Sequence, residues 1–373
     1  MNVPKLRFKE FNDEYKSYKF YDVAKLYRGS SPRPIVNFIT KSEDSVNWIK
    51  IGDVSPNETY INSTSEKITK EGAKKSRRVY KGEIILSNSM SFGRPYILNL
   101  DGCIHDGWFV VRDYEKLLNK NYLYHFMSSP LIQKQYKTLS AGGVVSNISS
   151  ELVYSVKLNI PSKEEQLKVA KFLSLLDKKI ELQSKKIEDL KLFKLGKMNM
   201  IFKTAEHNFI LKNICIIEKG RQINNKLLLN SGMYYMLNGG ILPSGFLNEY
   251  NTEKNTITIS EGGNSCGFVN FNKKNFWCGG HCYKLLNEKI DKFYLYQLLK
   301  YNENKIMNLR VGSGLPNIQK KDLESLKLKI HNEEKQKVIA NYLTYFDKKN
   351  ELEIDKLNNL LELKKGLMQN MFI

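Results

Sequence analysis

Residues 162–203, SKEEQLKVAKFLSLLDKKIELQSKKIEDLKLFKLGKMNMIFK, return at 332–373 as NEEKQKVIANYLTYFDKKNELEIDKLNNLLELKKGLMQNMFI. In the first stretch Val169, Leu173, Leu176, Ile180, Ile187 and Leu190 recur at spacings of three, four or seven, with Lys and Glu between them. That spacing places them on one narrow apolar seam of a helix. Ile339, Leu343, Phe346, Leu357 and Leu360 keep the same register in the second stretch, where Asn350 stands in place of Ile180. A lone polar residue in such a seam fixes register and pairing. Ser162 followed by Glu165 reads as a capping box behind Pro161, and Asn332 is the matching cap. No proline interrupts either run, and Gly196 and Gly366 come late. Each helix should therefore span about 35–40 residues, a rod of roughly 50–60 Å at ~1.5 Å rise per residue. The seam is too slim to cover a globular core, so two rods lying against each other are expected. The plainer alternative is a helix packed on its own domain.

The match begins upstream of the helices. Residues 139–203 align with 309–373 without a gap at an offset of 170, and 23 of the 65 positions are identical. Asn147-Ile148 matches Asn317-Ile318, Lys157-Leu158 matches Lys327-Leu328, and Phe202 matches Phe372. After a short indel, Tyr122-Leu123-Tyr124 matches Tyr294-Leu295-Tyr296. A period this long is not that of a solenoid; it is two domains in tandem. Before each helix come short apolar runs between glycine turns: VNWIKIGD, GEIILSNSM and WFVVRDY, then YYMLNGGIL, NTITISEGG and HCYKLL. The stretches KNYLYHFMSSPLIQKQY and KFYLYQLLKYNENKIMNL read as helical. Each module is thus expected to be mixed α/β, with sheet and helices segregated. The expected boundaries are 1–159 and 204–329 for the two α/β domains, and 160–203 and 330–373 for the helices. The helices match well and the strand-rich parts poorly, as in a duplicated frame carrying two different reading heads.

Lys and Arg number 59 against 39 acidic residues, a formal charge of +20. Residues 1–159 contribute +8, 160–203 contribute +5, 204–329 contribute +7, and 330–373 are neutral. Such a surplus suits a polyanion, because neutralising phosphates releases counterions. An anionic membrane surface or an acidic protein is the alternative. No apolar run approaches the ~18 residues that span a bilayer. The opening MNVPKLRFKEF has no apolar core of a secretory signal, so a cytoplasmic location and no membrane partner are expected. Five cysteines make a sparse, odd set, unlike a disulfide framework. Cys278, His281 and Cys282, with Cys266 upstream, have the wrong spacing for a zinc ribbon. The stretch FWCGGHCYKLL reads instead as a glycine turn entering a buried strand, and no metal is expected.

Catalytic motifs are missing. There is no Pro-Pro pair, and GGNSCG at 262–267 lacks the spacing of a dinucleotide loop and precedes no helix. Glu261 is isolated, and no acidic-x-Lys pairing ends a convincing strand, as a magnesium nuclease would require. No Walker loop, HExxH or nucleophile motif occurs. No catalytic residue is assigned. The competing reading is a stand-alone nuclease or methyltransferase whose active site is assembled from distant residues.

For DNA contact, Lys74, Lys75, Arg77 and Arg78 form the densest basic cluster, suited to backbone phosphates or simply solvated. Arg94, in the turn SNSMSFGRP, suits bidentate contact with guanine. Lys219, Arg221, Lys273 and Lys274 are the analogous candidates in the second module. Asn147 and Asn317 follow glycine-rich segments and either approach DNA or cap the next element.

In combination, several segments resemble the specificity subunit of type I restriction-modification systems. They are VPKLRFKEF at the start, GVVSNISSELVYSVKLNIPSKEEQ and SGLPNIQKKDLESLKLKIHNEEKQ at the strand-to-helix passages, FLSLLDKKIELQ and YLTYFDKKNELE in the helices, and KKGLMQNMF at the tail. The resemblance implies two target recognition domains, each reading one half of an interrupted site in double-stranded DNA. It implies an antiparallel coiled coil that spaces them and docks two modification (methyltransferase) subunits. S-adenosylmethionine would then belong to those subunits, and ATP and magnesium to two restriction subunits, with no cofactor in this chain. Half-sites about one DNA turn apart, ~34–36 Å between centres, would follow. His331 stands where the family has proline, as at Pro161, and a looser strand-to-helix turn is expected there.

Overall fold

The computed structural model describes residues 3–54, 58–88, 93–140, 148–312, 314 and 316–373. The chain divides into two compact units: residues 1–183 with 356–373, and residues 184–355.

In unit 1, a mostly antiparallel five-stranded sheet has the order Lys25–Arg28, Trp108–Arg112, Ile84–Ser87, Pro95–Leu98, Tyr60–Ile61. The strand period of two gives it two faces. Ile84, Leu86, Phe109 and Val111 turn to one face, where they pack with Tyr122, Leu123 and Phe126 of the helix Lys120–Ser128. Ile85, Trp108 and Val110 turn to the other and pack with Ile49 and Val79 of a second five-stranded sheet. Because both faces are covered, the strand Ile84–Ser87 is buried throughout, which is why GEIILSNSM reads as a continuous apolar run and not as an alternation. The longer helices thus lie on one side, while the short helix Lys70–Lys74 packs through Ala73 against Trp48, Ile68 and Cys103 of the second sheet.

Unit 2 repeats the plan. Its four-stranded antiparallel sheet has the order Ile216–Lys219, Cys282–Leu286, Thr256–Ser260, Val269–Asn272. Ile257, Ile259, Tyr283 and Leu285 face Leu295 and Leu298 of the helix Lys292–Tyr301. The opposite face is polar and buried: Asn272 donates from Nδ2 to Thr256 O and Thr258 Oγ1, and Tyr235 donates its hydroxyl to Asn272 Oδ1. Burial without loss of hydrogen bonds is what lets such a face exist. Cys278 and Cys282 flank the expected glycine turn, and all five cysteines are buried and free.

The long helices run Lys163–Phe202 and Glu333–Met371. The Ser162 hydroxyl accepts the Glu165 N–H at 3.3 Å, but the Glu165 side chain does not return the bond. It is clasped instead by Arg7, at 2.8 and 2.7 Å, and by the Tyr15 hydroxyl at 2.8 Å. The capping box is therefore half made. Asn332 caps the second helix as expected, through the Lys335 N–H at 3.0 Å. The turn at His331 is not loose. Its Nδ1 lies 2.8 Å from the Tyr294 hydroxyl, which also accepts the His331 N–H at 3.0 Å, so a tyrosine clamp does what proline rigidity does at Pro161.

Within each unit the two helices run antiparallel. In unit 1, Asp177 meets Lys364 at 2.5 Å, and Val169 and Leu173 share a core with Met368, Met371 and Phe372. In unit 2, Lys194 meets Asp347 at 2.5 Å and Lys186 meets Glu353 at 3.0 Å. There Met198 and Phe202 share a core with Ile339 and Leu343, and Phe193 packs on Phe346 with centroids 5.4 Å apart. Of these three ion pairs, Asp177–Lys364 and Asp347–Lys194 are one pair seen twice, since Asp177 and Asp347, and Lys194 and Lys364, each differ by 170. The seam does both jobs that the sequence set as alternatives. Val169, Leu173, Ile339 and Leu343 also pack on helix residues Tyr122 and Leu123, or Tyr294 and Leu295, of their own domains. Leu176, Ile180, Leu190, Phe346, Asn350, Leu357 and Leu360 are half-buried, and Ile187 is buried.

Candidate nucleic-acid interface

One edge of unit 2 gathers turns from five segments. The Arg221 N–H donates to Cys278 O at 2.9 Å, joining the turn after Ile216–Lys219 to the glycine turn at 279–280. The Glu261 N–H donates to His281 O at 2.9 Å, and the Ile318 N–H to Glu261 O at 2.8 Å, which brings in Asn317. The Ser260 hydroxyl donates to Gly239 O at 2.5 Å, adding the turn at 238–240. Glycines allow this crowding: a Cβ on Gly220 would sit 2.3 Å from Gly279 O.

Glu261 is far from isolated. Its carboxylate takes Lys219 at 2.6 Å and the Tyr283 hydroxyl at 3.2 Å, with His281 Nδ1 3.5 Å away. Burial, then the Glu261 charge, pushes the Tyr283 phenol well up, so it stays a donor. Lys219 is half spent on this pair, whereas Arg221 is exposed and carries its charge to solvent. Asn317 is half-buried, its Oδ1 accepting from Gln319 at 3.1 Å. Lys273 and Lys274 are not part of this edge. They follow Asn272, which pairs with Thr256 at the far end of the strand that leads to Glu261, and Lys273 is salt-bridged to Glu351 of the second long helix. Sequence spacing could not separate them, because a hairpin puts adjacent basic residues at either end of a sheet.

The same edge exists in unit 1. Ile148 donates to Asn88 O at 2.7 Å, the counterpart of Ile318 on Glu261, and Asn88 donates to Gly107 O at 2.9 Å and through Nδ2 to Asp106 O at 2.8 Å. Gly29 donates to Trp108 O at 2.8 Å. Arg28 Nε reaches Asp106 O at 3.3 Å, and the Ser31 hydroxyl holds the Asp106 carboxyl below the usual range. Burial lowers the His105 imidazole, so the ring is neutral where Gly107 donates to its Nδ1. Lys75, Arg77 and Arg94 come to this edge. The Lys75 carbonyl accepts from Ser30, and its ammonium lies 4.8 Å from the Phe38 ring centre. Arg77 donates to Arg28 O at 3.2 Å and rests on Tyr27, while the Arg94 N–H donates to Ser87 Oγ at 3.0 Å. Lys74 is exposed at the end of the short helix Lys70–Lys74, and Arg78 is exposed one strand position beyond Arg77. Asn147 lies outside the described residues.

Three edge residues went unmarked in the sequence: Arg28, His281 and the carboxylate of Glu261. The signal for the first was positional, since Arg28-Gly29 and Lys219-Gly220 both place a basic residue before a glycine at the end of the module's leading strand. Among the described residues no group of three His, Cys, Asp or Glu side chains is arranged to hold a metal, and no helix is long and apolar enough to cross a membrane.

The family model described as "Type I restriction modification DNA specificity domain" matches residues 12–192 and 206–363. A Mycoplasma pneumoniae protein named as a candidate type I specificity subunit is 38% identical over 155 residues, 40% of this chain and 40% of that protein. A type I restriction enzyme specificity subunit of Methanocaldococcus jannaschii is 26% identical over 175 residues, 46% of this chain and 40% of its own length. The matched stretches therefore span well under half of these relatives. In fold, the crystal structure of the S subunit of a type I system from M. genitalium covers 100% of this chain and 99% of its own, with a TM-score of 0.66 at 18% identity. A chain from a structure of type I complex assembly gives a TM-score of 0.59 at 16% identity, covering 96% of this chain and 97% of that one. The duplicated frame, the antiparallel helix pairing in each unit and the model match over both halves place the chain in the type I restriction modification DNA specificity domain family.

Proposed function

We propose that the chain is the non-catalytic DNA-recognition subunit of a type I restriction-modification complex, each unit reading one half of a bipartite site in double-stranded DNA. The observation that carries this reading is the recurrence of one backbone frame with different side chains on it. Ile148 on Asn88 and Ile318 on Glu261 are the same bond, yet Arg28, Ser30 and Asn88 in one unit face Lys219, Arg221 and Glu261 in the other. A constant frame with variable groups is what two different base readouts need.

The edges supply binding and no chemistry. Glu261 is a carboxylate already held by a lysine, and among the described residues no acidic cluster that could hold a metal ion accompanies it. Methyl transfer is accordingly assigned to two modification subunits that bring S-adenosylmethionine, and ATP- and magnesium-dependent cleavage to restriction subunits. A docking surface for two identical partners fits the long helices, where Leu182 and Leu352, 170 positions apart, stay 55% and 62% exposed, as do Leu175 and Tyr345. The helices that pass from one unit into the other would set the length of unread DNA between the half-sites.

The test has two arms. Incubated alone with DNA, magnesium and S-adenosylmethionine, the purified chain is expected to give neither methylation nor cleavage. Produced with its modification partner, it is expected to direct adenine methylation to one interrupted motif, read by mapping methylated adenines. Activity of the chain alone would instead establish the stand-alone enzyme.

A further inference from the structure

Ile241 and Leu242 are 56% and 76% exposed at the tip of the unit 2 loop between the strands Tyr234–Leu237 and Gly245–Leu247. Two adjacent aliphatic side chains in water forgo the stabilisation that burial gives, and a loop anchored so as to display them needs a reason. This loop is anchored. Gly239 sits at φ +85, where a Cβ would lie 2.8 Å from His281 O. Its carbonyl takes the Ser260 hydroxyl at 2.5 Å, Asn238 Oδ1 accepts the His281 N–H at 3.2 Å, and the Ser244 N–H donates to Met236 O at 2.8 Å. These anchors belong to the edge that carries Lys219 and Arg221.

The described start of the loop at the same place in unit 1 is packed differently. Both loops follow the strand that pairs in parallel with the one before the glycine turn. In unit 1, however, Ile51 is buried and Asp53 is tied back to the N–H groups of Lys50 and Ser65 at 2.8 and 2.9 Å. Among the described residues, the loop at this place in unit 1 shows no exposed aliphatic pair like Ile241 and Leu242, so the two edges differ here, as specificity elements should.

We propose that Ile241 and Leu242 read the 5-methyl group of thymine in the half-site bound by unit 2, an inference that rests on the DNA-reading function above. Among groups at the base edges of the major groove, that methyl is the apolar one. Charge favours DNA over a protein partner: residues 204–329 carry 17 basic against 10 acidic side chains, and Arg221, on the edge that anchors this loop, is exposed.

The experiment measures binding of the full chain, in complex with its modification partner, to duplexes in which deoxyuridine replaces thymine one position at a time. Deoxyuridine removes the methyl and keeps each hydrogen-bonding group. At one or two positions of a single half-site, deoxyuridine is expected to weaken binding about three- to fivefold. Leu242→Ala and Ile241→Ala should weaken binding to the thymine duplex by a similar factor, and the losses should not add when combined. Deoxyuridine without effect at each position, or losses that simply multiply, overturns the inference and leaves the DNA-reading function standing. Variants that keep thymine preference but lose the modification partner on co-purification also overturn it, making the tip a protein dock. A wild-type complex with no sequence preference overturns both.

Discussion

Arg7, Tyr15 and Glu165 show how much can hang on one residue. Glu165 is buried, and its two oxygens take three hydrogen bonds from residues about 150 positions away. Arg7→Ala would strand that carboxylate and is expected to cost ~3–5 kcal/mol in urea unfolding, as loss of one partner of a buried pair does. His125 gives a pH dependence. Burial lowers its imidazole to about 3, so its 3.8 Å approach to Asp177 is a neutral ring beside an acid, not an ion pair. Asp177, itself raised by burial, draws its charge partner from Lys364, while Ser174 lies on the far side of the ring. The unfolded chain protonates this histidine below about 6.5 and the folded chain does not. Stability from His125 is therefore complete above about 6.5 and lost as pH falls toward 3, with a slope approaching ~1.4 kcal/mol per pH unit. His125→Gln copies Gln297, which bonds the equivalent Asp347 at 2.6 Å. Unfolding midpoints from pH 4.5 to 7.5 should show the variant gaining on wild type as pH falls. Among surface cations, Arg221→Ala should lower the salt slope of DNA binding by about one, while Lys273→Ala, whose charge is taken by Glu351, should barely change it.

At the scale of elements, the long helices and the repeat were readable because helical periodicity is local and the copies keep one register. Their partners were less so. Val169 and Leu173 look like interhelical seam residues, yet they also complete the core of the preceding domain, and a stripe does not say which of two surfaces it meets. The candidate edges were hidden for a related reason: Arg221, Glu261, His281 and Asn317 are spread over almost 100 residues and meet only because sheet order brings five turns to one end. Lys273 and Lys274, plausible by composition, fall at the other end. Asn350 tests the seam directly. Its Oδ1 is buried without a hydrogen-bond partner among the described residues, where the first helix has Ile180. Asn350→Ile should raise unfolding stability by ~1–3 kcal/mol, because an unsatisfied buried oxygen is removed. An unchanged or lowered midpoint would show that the amide earns its place by fixing the register.

For the whole molecule, each helix begins in one unit and ends in the core of the other: Phe202 packs against Tyr294, and Phe372 against Tyr122. Under the proposed function, the helices are the element whose length should decide how far apart along a duplex the two edges touch. Inserting a few helical residues near Gln183 should therefore lengthen the proposed ruler without altering either candidate edge. Mapping methylated adenines for the inserted chain and its parent, each with the modification partner, is the most direct test. The account predicts the same two half-motifs separated by a longer unread spacer; altered half-motifs across the old spacer would contradict it.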